Sequence, residues 1–244
     1  PKRIWRTLDE YNLVGKVDLT KRFVFLGENA VLKFGGYSSF KERDFAIAQY
    51  SVSSNFTSES DWANYGGDPN QLFNPTNLIS STNLDGTYIN PQTTIKQDAN
   101  IFNARQQNLA GYISNEFNLS SKLKSIIGLR FENYQVFYTG ENSQLGQVFD
   151  NNKIISENNL FPSTNFIYSL TDNKNLRLAY SLTTARPSFK EASIAEIYDP
   201  LSNLFFIGNI NIRPTYIDNF DLRYESFGED AQPVSYTHLT LPTK

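Results

Sequence analysis

Hydrophobic and polar residues alternate one for one along much of this chain. In the stretch 176–183, Leu176, Leu178, Tyr180 and Leu182 fall on one face, and Arg177, Ala179, Ser181 and Thr183 on the other. Ile127, Leu129 and Phe131 alternate with Arg130 and Glu132. Leu13, Val17 and Leu19 oppose Lys16, Asp18 and Thr20, and Phe220, Leu222 and Tyr224 oppose Asp221, Arg223 and Glu225. A helix would scatter these charges around its circumference, whereas a strand collects them on one side. The pattern predicts about seven strands, near 11–22, 30–50, 108–118, 122–138, 159–170, 175–185 and 215–226.

The connections alternate too. Short polar turns are predicted at 26–29, 118–122 and 171–175, and long polar segments at 51–107, 140–158 and 186–214. Several strands exceed the five or six residues common in soluble sheets, and a membrane-crossing strand needs ~9–11. Turns at one end and long loops at the other are the arrangement of outer-membrane barrels. A soluble sandwich would bury the apolar face and show the same alternation. Strand length, loop asymmetry and aromatics near strand ends (Tyr134, Phe137 and Tyr138, then Phe161, Phe166 and Tyr168) favour lipid on one face. The fold class expected is all-β: an antiparallel transmembrane β-barrel fragment, open because truncated. Seven strands leave two unpaired edges. On this reading Lys16, Asp18, Arg130, Glu132, Arg177 and Arg223 face the lumen.

Composition narrows the chemistry. The chain has 244 residues, 19 Phe and 14 Tyr, no Cys, and a formal charge of −3. Without Cys there is no disulfide or thiolate chemistry, and a near-neutral balance lacks the basic face that nucleic acid requires. No run approaches the ~18 apolar residues of a transmembrane helix, although barrel strands leave a weaker signal. Walker and Gly-rich dinucleotide motifs are absent and His238 is the sole histidine, so neither an enzyme nor a cofactor is expected. Glu59, Asp61 and Asp68 in the first long segment read as solvated carboxylates. Trp62, Tyr65 and Phe73 in the same segment are candidate ligand contacts, since loops on a rigid scaffold commonly carry recognition.

Two motifs are more specific than the alternation. One is Ala185-Arg186-Pro187-Ser188-Phe189-Lys190-Glu191; the other is Gly208-Asn209-Ile210-Asn211-Ile212-Arg213-Pro214-Thr215. Together with "SSKLKSIIGLRFENY" and "GGYSSFKERDF", they make most of residues 8–228 resemble the barrel of TonB-dependent outer-membrane receptors, particularly those with a carboxypeptidase-regulatory-like N-terminal domain. In that family the first motif precedes a long external loop and the second leads into the following strand. Ile210 stands where the family usually has Pro, and Ile212 where it has Leu. Arg186, Pro187, Phe189, Glu191, Gly208, Asn209, Pro214 and Thr215 read as strand-end devices. Pro187, which has no N–H to give a ladder, suits a strand's exit, and Arg186 is suited to pair with a lumen carboxylate or with the plug.

The resemblance implies active import of a siderophore, cobalamin, glycan or peptide through a barrel of about 22 strands. It implies as partners the outer-membrane lipid, a plug domain, the remaining strands, a TonB-type energy-coupling protein and a surface ligand-binding lipoprotein. The rival readings are a passive porin and a soluble β-sheet binding module. Beginning at Pro1, the chain reads as a mature chain or an internal fragment.

Residues 1–233 form the expected partial barrel, and 234–244 stand apart. Pro242 sits where a strand would need a donor, so a new strand is not expected there. "VSYTHLTLPT" is the one-frame translation of a transposase adapter used in sequencing libraries, and 234–244 is read as untrimmed adapter at the end of a truncated read.

Overall fold

A computed structural model describes residues 2–54, 74–75, 78, 87–91, 100–142, 146–199, 201–227 and 234–243. Seven long strands form an antiparallel meander: β1 (Lys2–Phe25), β2 (Glu28–Ser54), β4 (Ile101–Ser120), β5 (Leu123–Asn142), β6 (Gln147–Thr171), β7 (Lys174–Ala185) and β10 (Thr215–Ser226). The short β3 (Thr87–Pro91) pairs with the far end of β2, and β8 (Ile197–Asp199) and β9 (Leu204–Phe206) form a separate hairpin. The two-residue turns at 26–27, 121–122 and 172–173 all lie at one end of the sheet. The first has φ of 52° at Leu26 and 80° at Gly27, the twisted turn that suits a tight hairpin.

The seven predicted strands are all present, but several are longer than expected. Most of 140–158, expected as loop, is strand, because β5 runs to Asn142 and β6 begins at Gln147. The reason is a change of polarity along the strands. Toward the turns, the face carrying Leu19, Phe34, Ile113 and Leu129 is apolar and exposed, and these four are cross-strand neighbours. Farther out the same face turns polar, with Asp9, Asp44, Asn103 and Thr139 in succession. The opposite face becomes apolar there, burying Phe102, Ala104, Tyr134, Val136, Tyr138 and Ile155. Alternation continues, but with the apolar side exchanged.

A second correction concerns the C-terminal segment. Val234–Thr243 forms a further strand, β11, paired with β10 from Tyr216↔Thr243 to Glu225↔Val234. Pro242 lies next to the strand's end, where one missing donor is tolerated. The third correction concerns 186–214, expected as a long external loop. Part of it instead folds back against the sheet. Phe189, Ala192, Ser193, Ile194, Ala195, Glu196 and Ile197 are all buried.

Candidate functional site

Register places Lys16, Asp18, Arg130, Glu132, Arg177 and Arg223 on one face, opposite the apolar band. They do not form one cluster. Lys16 pairs with Asp18 at 2.7 Å, and the Tyr112 hydroxyl, reaching across Gly35, donates to Asp18 at 2.6 Å. Arg177 and Arg223 share Glu225, at 3.7 and 3.6 Å. Between these groups lies the most buried charge of the set: Glu132, gripped by Arg130 and Arg186. The Arg186 guanidinium also stands 4.1 Å from the centre of the Tyr134 ring, a cation over an aromatic face. So the arginine of the first motif pairs with a carboxylate two strands away, and β7's exit is tied to β5.

The two motifs meet in space. Pro187 ends the ladder immediately after β7. Ser188 and Glu191 then bond reciprocally: the Ser188 N–H donates to the Glu191 carboxylate at 2.7 Å, and the Glu191 N–H donates to Ser188 Oγ at 3.3 Å. That pattern is a capping box on a single turn. The Ser188 N–H, then its hydroxyl, hold the Glu191 carboxyl below its usual range. Phe189 drops into the cluster formed by Phe102, Tyr138 and Ile155. The Tyr138 hydroxyl lies 3.1 Å from Ser193 Oγ, so the polar atoms carried in with the segment find partners.

The second motif locks the first. The Asn209 N–H donates to the Glu191 carbonyl at 2.7 Å, and the Ile212 N–H to the Asn209 carbonyl at 3.0 Å. A Cβ on Gly208 would collide with the backbone oxygens of Lys190, Glu191 and Ser193, so no side chain fits there. The Asn211 N–H donates to Asn209 Oδ1 at 2.9 Å, a turn that Asn makes by itself. That turn surrounds Ile210. Pro214 is buried and Thr215 opens β10.

Beside this strap lies a group that the sequence reading missed. Arg6, Leu8, Arg43, Phe45, Phe102, Lys190 and Ile197 line a cavity of about 160 Å³. Arg6 donates to the Tyr198 carbonyl. Arg43 and Lys41 both pair with Glu10, and the Lys190 ammonium lies 4.4 Å from the centre of the Phe206 ring. The β8–β9 hairpin holds the outer rim, where Tyr198 and Phe205 pack with ring centres 5.2 Å apart. The alternation carries Arg6 and Arg43 on the charged side of their strands. Their convergence on Lys190 depends on β1–β2 register and on the strap folding inward, and neither is visible in the sequence.

Trp62, Tyr65 and Phe73 lie outside the described residues, as do Glu59, Asp61 and Asp68. Among the described residues, no group of three or more His, Asp or Glu is placed to hold a metal ion.

A long antiparallel meander with one exposed apolar face, tight turns at one end and an inward-folded strap at the other is the wall of a transmembrane barrel. Residues 71–240 match the outer membrane protein beta-barrel family, and the chain belongs to that family. Its place is the bacterial outer membrane.

The fold is that of a wall segment of the TonB-dependent receptor barrels. It is similar to the ferripyoverdine receptor of the outer membrane of Pseudomonas aeruginosa, at 18% identity over 93% of this chain and 24% of that one, with a TM-score of 0.54. It is similar to the unliganded ferric citrate transporter FecA, at 11% identity over 92% of this chain and 26% of that one, with a TM-score of 0.56. It is also similar to the closed form of the ferric-catecholate import receptor Fiu of E. coli K12, at 12% identity over 96% of this chain and 31% of that one, with a TM-score of 0.54. The chain therefore spans between 24% and 31% of the length of these three receptors. No curated protein matches it in sequence.

Proposed function

We propose that this chain is part of the barrel wall of a TonB-dependent receptor that binds an external ligand and imports it with energy supplied from the inner membrane. The observation that carries this reading is the strap. Residues 188–197 are held against the interior wall by the Arg186–Glu132 pair, the Phe189 anchor and the Gly208 contact. A segment fixed against the wall in this way offers a rigid surface for recognition, which loops on a rigid scaffold commonly carry. In this scheme Lys16, Asp18, Arg130, Glu132, Arg177 and Arg223 line the lumen and face the plug, and Trp62, Tyr65 and Phe73 belong to an external loop. Siderophore, cobalamin, glycan and peptide remain the ligand classes, and a surface lipoprotein is a further proposed partner. We further propose that residues 234–244 are adapter-derived, so that β11 marks where a native strand pairs with β10; the underlying codons test this directly.

The receptor that carries this segment is to be reconstituted in planar bilayers. A plugged receptor gives no steady conductance until denaturant displaces its plug. Large, stable channels in buffer alone would overturn the reading in favour of a passive porin.

A further inference from the structure

From the cavity beside the strap we infer a binding site for a planar organic anion, the carboxylate-bearing aromatic end of the ligand. The inference rests on the receptor reading above and names the ligand chemistry of that same interior surface. The cavity's volume of about 160 Å³ is near that of engineered cavities that accept benzene. Its walls are apolar, from Leu8, Phe45, Phe102 and Ile197, and its charged lining residues are all cations: Arg6, Arg43 and Lys190.

Of these cations Arg43 is already paired with Glu10, whereas Arg6 and Lys190 make no ion pair among the described residues. Glu10 accepts from both Arg43 and Lys41. Asp199 is held by the Ser202 hydroxyl at 2.7 Å and the Leu201 N–H at 3.2 Å, with Arg6 acting on it only through its charge. Lys190 makes no ion pair among the described residues; its ammonium rests over Phe206. A cation over an aromatic face keeps its hydrogen-bonding capacity free for an incoming anion. An apolar slot with a few convergent charged groups is the usual form of a small-molecule site. Here the slot accepts a ring and the cations accept a carboxylate, which a bidentate arginine suits geometrically.

The site lies at the end of the sheet remote from the tight turns, against the strap. A ligand bound there bridges β1, β2 and the segment 190–197. Its anion would meet Lys190 and Arg6, while the remainder of the molecule would rest on the exposed hairpin residues Leu204 and Phe205.

The test uses the receptor that carries this segment, refolded in detergent, with 4-fluorobenzoate and its neutral counterpart 4-fluorobenzyl alcohol as probes followed by ¹⁹F NMR titration. The benzoate is expected to bind at least about tenfold more tightly than the alcohol. Lys190→Gln is expected to erase most of that difference and Lys190→Arg to keep it, with heat-modifiable gel migration reporting that each variant is folded. Equal binding of the two probes to the native protein, or a benzoate preference undiminished in folded Lys190→Gln, would overturn the inference. Either result with bilayers that stay closed would leave the receptor reading standing. Open channels in buffer would remove that reading, whatever the probes do.

Discussion

Leu26 is the first residue of a tight hairpin turn and holds φ at 52°. A left-handed backbone costs a branched L-residue about 1–2 kcal/mol, and Asn or Gly tolerates it far better. The side chain is two-thirds exposed, so little packing offsets that cost. Leu26→Asn is expected to stabilise the refolded barrel by about 1 kcal/mol in reversible urea unfolding in lipid vesicles. Glu132 presents the opposite case. It is buried and carries the charges of both Arg130 and Arg186. Removing one partner from a buried ion network leaves charge uncompensated, at about 3–5 kcal/mol. Glu132→Gln is expected to lose that much in the same assay, whereas Asp18→Asn, at the exposed Lys16 pair, is expected to change stability far less.

At the scale of elements, the strap and the strands obey different rules. The strap's first turn depends on the Glu191 carboxylate accepting from Ser188. Because that contact lowers the carboxyl's affinity for protons in the folded state, its stabilising effect is present above the ordinary glutamate range of about 4.3 and lost as pH falls through the folded value. Limited proteolysis within 188–197 is therefore expected to be slow at pH 7 and faster near pH 3.5, using an acid-tolerant protease at both values. Glu191→Gln should remove the difference between the two. The strands respond to depth instead. Ile113 lies in the exposed apolar band between Phe34 and Leu129, and a lysine there is expected to cost about 2–4 kcal/mol at the bilayer midplane. Asn133 faces the same way two residues beyond Phe131, where the face has become polar. Asn133→Lys is expected to cost about 0–1 kcal/mol. Equal penalties in vesicle unfolding would show that the lipid boundary lies elsewhere.

At the scale of the whole molecule, the exchange of apolar faces along β2, β4 and β5 divides the wall into two zones. Near the turns the apolar side chains point outward and meet lipid; beyond Leu109 and Phe131 they point inward and meet the strap. On the reading proposed above, one sheet serves two solvents, bilayer near the turns and water beyond them. The separation explains why strands of 20 to 27 residues appear where ~9–11 suffice for crossing.

Much of this was legible in the alternation of residues. Period two set the strand class, and the spacing of polar turns set the meander and its tight end. Charges such as Arg130 and Arg177 were assigned a common face because each lies one residue from an outward leucine. These are local properties of an extended backbone, whose side chains alternate whatever surrounds them. The upper parts of β5 and β6 escaped because alternation reports two unlike faces without saying which solvent each meets. The inward course of 188–197 escaped for a different reason: it depends on Phe102, Tyr138 and Ile155 presenting an apolar shelf from three strands, and on Gly208 arriving from twenty residues later to close over the turn. The convergence of Arg6, Arg43 and Lys190 rests on the same long-range packing. The sequence by itself determined a β-strand wall with one apolar and one charged side. Only tertiary structure decided where that wall leaves the membrane and what its strap encloses, because those outcomes depend on neighbours far apart along the chain.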